Sequence, residues 1–104
     1  MSDSKLGKVS KIIDQVMFLA NKTSKKFSMG LEETQKANEF SAIESLVFSE
    51  KVIQDFDEQK VVDFLNDVET KGGKIYSVDS TTDVGLRVSG LGGIISLLRF
   101  PVSG

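Results

Sequence analysis

The chain has 104 residues, 39% apolar and 27% charged, with a formal net charge of −2 and neither cysteine nor histidine. That length allows one hydrophobic core, and that composition indicates neither a disordered chain nor a fibrous repeat. The two missing residue types remove disulfides, thiol nucleophiles, imidazole bases and zinc sites built on nitrogen or sulfur.

Leu6, Val9, Ile12, Ile13, Val16, Met17 and Ala20 recur at helical spacing, with Lys5, Lys8, Lys11 and Asp14 on the other side, so residues 5–20 are expected to form an amphipathic helix. The first few residues before it are expected to be disordered. Six lysines fall in the first 26 residues against Asp3 and Asp14, whereas seven basic residues face thirteen acidic ones from Phe27 onward. The lysine row is either a solvated face or a contact for ribosomal RNA or an acidic partner. Its longest unbroken apolar run, Val16 to Ala20, is far short of the roughly 20 residues that a membrane span requires. No apolar signal-peptide core follows the amino terminus, so a cytoplasmic protein is expected.

Asn21 to Gly30 reads as a connecting loop that closes on a glycine. A second helix of two to three turns follows from Leu31, with Glu32 and Glu33 suited to its positive amino-terminal end. Ala42 to Ser49 has the composition of a buried strand, and Glu50 to Phe56 that of a short helical turn or loop. Val61, Val62, Leu65 and Val68 mark a third helix that stops at Gly72-Gly73. Lys74 to Val78 is a second strand, Ser80 to Asp83 supplies caps for a helix running to about Gly90, and Ile94 to Phe100 is a third strand ended by Pro101. Strands alternating with helices imply right-handed crossovers and a mostly parallel sheet covered on both faces, a three-layer α/β/α sandwich. With no repeat, no low-complexity tract and one proline, residues 1–104 read as a single domain.

Chemistry finds little purchase in this pattern. Gly92-Gly93 lies between a helix and the strand after it, whereas phosphate loops run from a strand into a helix, so a tight turn is the better account. The adjacent carboxylates Glu32-Glu33 and Asp57-Glu58 point in different directions on a helix and do not converge on a substrate. Nothing pairs a serine with one lysine among eleven, and Tyr76 and the seven phenylalanines are dispersed as core residues are. No catalytic residue, metal or cofactor is therefore expected.

The segment SGLGGIISLLRFPV resembles the closing segment of the Pelota family, and LEETQKANEFSAIESLVFSEKV, DVETKGGKIYSVDS and IIDQVMFL are similar to its other elements in the same order. The resemblance spans nearly the whole chain and is to the carboxy-terminal domain, which the class-one translation termination factors of eukaryotes and archaea share. Between Ser49 and Val61 there is no room for the minidomain those eukaryotic factors commonly insert, and Phe100 stands where termination factors tend to have tyrosine. Two departures are visible: Thr82 occupies a position where many Pelota sequences have histidine, and Leu86-Arg87 replaces a more polar pair. The domain also resembles the kink-turn-binding ribosomal protein fold, but its Gly30-Leu31-Glu32-Glu33 lacks the asparagine that grips RNA there.

The resemblance implies a docking domain of a ribosome-rescue factor with three partners: an elongation-factor-like translational GTPase, a recycling ABC ATPase and the ribosome. It implies no membrane association and no strong nucleic-acid binding by the domain itself, and it makes the chain a fragment or a free-standing homologue. Ile94, Leu97, Leu98, Arg99 and Phe100 are the expected partner-binding residues, because the matching segment of termination factors is implicated in binding their GTPase. Strand alternation puts Ile94, Leu98 and Phe100 on one side and Leu97 and Arg99 on the other, so part of the set must be core. Arg99 is the member that packing explains least, and it is either a partner contact or half of a structural ion pair. A termination-factor domain, a kink-turn-type RNA module and a small enzyme stay open as alternatives.

Overall fold

A computed structural model describes residues 3–22 and 26–101, with the side chains of residues 3–6 outside the described set. Lys5, Leu6, Lys25 and the amino-terminal residues expected to be disordered therefore lie wholly or partly outside the described residues. The elements run α1 (Asp3–Asn21), β1 (Phe27–Met29), α2 (Leu31–Glu39), β2 (Ile43–Ser49), α3 (Glu50–Asp55), α4 (Glu58–Thr70), β3 (Lys74–Val78), α5 (Asp83–Gly90) and β4 (Ile94–Leu98).

Local chemistry sets most of these boundaries. Ser49, Asp57 and Thr82 cap α3, α4 and α5 by accepting from the backbone N–H of Lys51, Gln59 and Gly85. Gly72 at φ 93° follows α4, and Gly92 and Gly93 at φ 111° and 84° turn the chain out of α5, where side chains larger than glycine would strain the backbone.

The four strands form one sheet in the order β1-β4-β2-β3. Here the expected parallel arrangement gives way: β2 and β3 are parallel, but β4 runs antiparallel to both β1 and β2. The reason lies at one end of the sheet. Ser49 closes β2 opposite Val78 at the end of β3, and its N–H donates to Gly93 O at the start of β4, 2.8 Å away. The chain thus re-enters the sheet at the end where it left, and α5 serves as a turn instead of a crossover. The expected loop Asn21–Gly30 also contains a strand, since Phe27, Ser28 and Met29 pair with Leu97, Ser96 and Ile95.

Helices lie on both faces. On one, Ala37 of α2, Val52 of α3, and Val61, Leu65 and Val68 of α4 pack on Ile43, Leu46, Phe48, Ile94 and Leu98. On the other, Val9, Ile12, Ile13 and Val16 of α1 and Val88 of α5 pack on Val47, Val78 and Ile95. Ile43 shares a face with Leu46, three residues on, because a register shift at Glu44 absorbs one residue of the two-residue period. Ser28, Thr34 and Ser96 are buried under α2 in one hydroxyl chain: Ser28 bonds both partners, and Thr34 Oγ1 also donates to Gly30 O at 2.7 Å.

Two glycines of α5 make a matched test of this packing. A Cβ at Gly85 would lie 1.9 Å from Asp79 O, whereas one at Gly90 meets nothing within 4 Å. Gly85→Ala is expected to lose on the order of 1–3 kcal/mol or more in urea denaturation through overpacking. Gly90→Ala should instead gain about 0.5–1 kcal/mol through lower unfolded-state entropy.

Candidate docking site

The candidate segment is the end of β4, and its fate follows from the strand's place between β1 and β2. A strand flanked on both edges and covered on both faces must bury its alternate side chains. Ile94 is fully buried and Leu98 is 6% exposed, both inside the core under α2 and α4, so neither presents a side chain to a partner. Leu97 is half-buried on the opposite face, against the α1 side of the core. The structure therefore divides the five expected residues, leaving Arg99 and Phe100 exposed and Leu97 partly accessible.

Beyond Leu98 the ladder ends, earlier than the expected Phe100. Leu98 N–H donates to Lys26 O at 2.9 Å and Arg99 N–H to Ala42 O at 2.6 Å, and Pro101 then brings no donor to extend the pairing. These bonds fix the backbone of Arg99 to the rim while its side chain stays outside. The guanidinium lies across Gly72, where an added Cβ would come within 2.9 Å of Nη2, and Nη2 donates to Lys71 O over a long 3.4 Å. Lys71 is the C-cap of α4, so the cation sits at the negative end of the helix. Among the described residues Arg99 pairs with no carboxylate, which leaves the ion-pair alternative without a partner.

Two features of this rim escaped the sequence reading. Phe40, the C-cap of α2, is 58% exposed just before Ala42, so it belongs to the same end of the sheet as Phe100 at 44%. Beside it, Asn38 Nδ2 donates to Asp67 Oδ2 at 2.6 Å, and Lys71 Nζ donates to Asn38 O at 3.0 Å while pairing with Asp67 Oδ2 at 3.2 Å. This knot ties the last turn of α2 to the last turn of α4, and it holds the peptide whose carbonyl receives Arg99. The Asp67–Lys71 spacing of four residues was visible in the sequence; the Asn38 contact, across 29 residues, was not.

Two other candidates sit elsewhere. Thr82 and Leu86 belong to α5, where Thr82 is the N-cap and Leu86 is 60% exposed. At the opposite end of the sheet, Met29, Gly30, Leu31, Glu32, Glu33 and Lys36 line an open cleft at the start of α2. Two glutamates against one lysine there disfavour phosphate despite the helix amino terminus. No cluster of metal-ligating side chains occurs among the described residues.

An exposed arginine and two exposed phenylalanines around a closed sheet end can grip a protein surface, and they offer no nucleophile with a base beside it. Comparison with known proteins gives this architecture its class. The family model of eRF1 domain 3 matches residues 6–102. The chain is 69% identical to a pelota homolog of Nitrosopumilus maritimus over 98% of its own length and 29% of that protein's. Among solved structures, Archaeoglobus fulgidus Pelota is similar with a TM-score of 0.90 at 31% identity, over 99% of this chain and 32% of that one. Dom34 of S. cerevisiae, a translation termination-like factor involved in RNA quality control pathways and interacting with Hbs1, gives 0.87 at 27% identity over 99% and 29%. A model of ribosome-bound archaeal Pelota and ABCE1 gives 0.75 at 27% over 93% and 28%. The chain belongs to the eRF1 domain 3 family, in its Pelota branch, and spans about a third of the length of the relatives it matches.

The knot at Asp67 gives a pH prediction. The hydrogen bond from Asn38, and then that from Lys71, holds the Asp67 carboxyl below the ordinary carboxylate value. A depressed pKa in the folded state favours folding above the unfolded value near 3.8, and that contribution drains away as the pH falls through the folded value. Thermal melts of the native chain should therefore drop more steeply below about pH 4 than those of Asp67→Asn, which has no proton to take up.

Proposed function

We propose that this chain is the docking domain of a Pelota-type ribosome-rescue factor acting in no-go and non-stop mRNA surveillance, and that it performs no catalysis. The observation that carries the reading is the division of the β4 segment: Ile94 and Leu98 anchor it in the core while Arg99 and Phe100 stand out from the rim. The partners we propose are an elongation-factor-like translational GTPase, as Hbs1 is to Dom34, and a recycling ABC ATPase, as ABCE1 is to ribosome-bound archaeal Pelota.

In this reading Arg99 supplies a planar donor fork for a carboxylate or carbonyl of the partner. Phe100 supplies apolar area, with Leu97 partly accessible beside the strand end and Phe40 extending the apolar surface. Because the Arg99 side chain makes a single long bond among the described residues, its binding capacity is nearly unspent. The acidic start of α2 weighs against the kink-turn RNA reading, and the lack of histidine and cysteine weighs against an enzyme. No helix among the described residues is long and apolar enough to cross a membrane, and a cytoplasmic site of action accords with ribosome rescue.

A pulldown of the translational GTPase by the 104-residue chain tests this. Arg99→Ala and Phe100→Ala should each weaken capture about tenfold or more, the scale of an interface hot spot, while shifting the melt by little. Loss of capture and of thermal stability together would assign both side chains to the fold.

A further inference from the structure

Helix α1 buries Val9, Ile12, Ile13 and Val16 against the sheet. Turned away from that core, Lys8, Lys11, Gln15, Phe18 and Lys22 follow one another in steps of three, four, three and four residues, and all five are exposed. Such steps draw a single stripe along a helix. Lys22 completes it, because its N–H donates to Phe18 O at 3.1 Å and continues the helical turn by one residue. From Lys8 to Lys22 the stripe is about 21 Å long at the helical rise.

Its chemistry is that of three ammonium groups and one aromatic ring in one row. Phe18 is 59% exposed, and Lys22 Nζ lies 5.2 Å from the ring centroid. A lone exposed phenylalanine calls for no explanation. Here it stands in a lysine row on the outer face of the helix, where its ring meets Lys22 and belongs to neither core cluster. Asp14, the one carboxylate among the described side chains of α1, is exposed one turn from both Lys11 and Phe18 and offsets part of that charge. The rest of the chain is acidic in balance, so the positive field is concentrated on this side.

We propose that the outer face of α1 is a contact for single-stranded RNA, with Lys8, Lys11 and Lys22 on backbone phosphates and a base stacked on Phe18. Single-stranded RNA is the ligand that uses both halves of the stripe, since it offers closely spaced phosphates and unpaired base faces together. An acidic polypeptide would satisfy the lysines and leave the ring unused. Three phosphate contacts make a weak site, with a Kd of about 10⁻⁴ M and a salt slope near −2 for the isolated chain. This contact shares no residue with the Arg99–Phe100 rim, so its failure leaves the docking reading intact.

The test is an NMR titration of the 104-residue chain with a single-stranded RNA of about twelve nucleotides, the same sequence as a duplex, and a polyglutamate peptide. The single strand should shift the amides of α1 and bind several-fold tighter than the duplex, with affinity falling about tenfold or more between about 50 and 200 mM salt. The double variant Lys8→Glu/Lys11→Glu should bind at least about tenfold more weakly, with an unchanged melt, because glutamate forms helix as readily as lysine. Phe18→Ser should weaken the single strand about fivefold or more and leave the duplex unaffected. Polyglutamate binding as tightly as RNA would assign the face to a protein partner and overturn the proposal. An absence of α1 shifts with RNA would overturn it as well, as would a Phe18→Ser chain that binds the single strand normally.

Discussion

Everything in this domain hangs on the burial of β4 from four sides. Its two edges bond to β1 and β2, Ile94 and Leu98 fill the core under α2 and α4, and Ile95 fills the core under α1 and α5, with Leu97 packed at its border. A strand enclosed in this way cannot slide, since a slip of one residue would exchange the side chains of both cores. The positions of Arg99 and Phe100 follow from that immobility. They are the first two residues after the enclosure ends, held at the backbone by Ala42 and freed at the side chain.

The same logic explains the polar contacts around the rim. The helix carboxy termini of α2 and α4 converge on the loops leading into β2 and β3, and each leaves carbonyls without helical partners. Lys71 donates to one such carbonyl and Arg99 to another, while Asn38 and Asp67 join the two helices side chain to side chain. The rim is a closure of helix ends as well as a surface. Replacing a residue there therefore has two separable meanings, structural for Asn38 and Asp67 and, in the docking role we propose, interactive for Arg99 and Phe100.

Charge is distributed with the same economy. Lysines gather on the outer side of α1, and acidic residues crowd α3, α4 and the start of α2. The net charge of −2 conceals a dipolar molecule, whose orientation on approach to a large polyanion would be set by α1. The two proposed surfaces, the Arg99–Phe100 rim and the α1 stripe, lie on different elements and would make separate demands on a partner.

The helices α1, α2, α4 and α5 and the three longer strands were legible in the sequence from periodicity, caps and stops, information local to a few turns, whereas α3 read only as a helical turn or loop. Family membership was legible for a similar reason, since a string such as LLRFP is read residue by residue. Strand direction was not. The sequence alternates strands and helices as a parallel sheet does, and only the hydrogen bond from Ser49 to Gly93 and the pairing of Ser49 with Val78 show that α5 turns the chain back beside β2. The strand Phe27–Met29 was missed because its inward residue is Ser28, whose burial is compensated by Thr34 and Ser96, distant partners that no local pattern reveals. The candidate segment divided in the same way: composition and resemblance picked out Ile94 to Phe100, but which of its residues reach solvent depended on where β4 ends against Ile43 and Lys26. Period and capping are properties of neighbours along the chain, whereas strand direction, buried hydroxyl partners and exposure are properties of neighbours in space, and those exist only once the chain has folded.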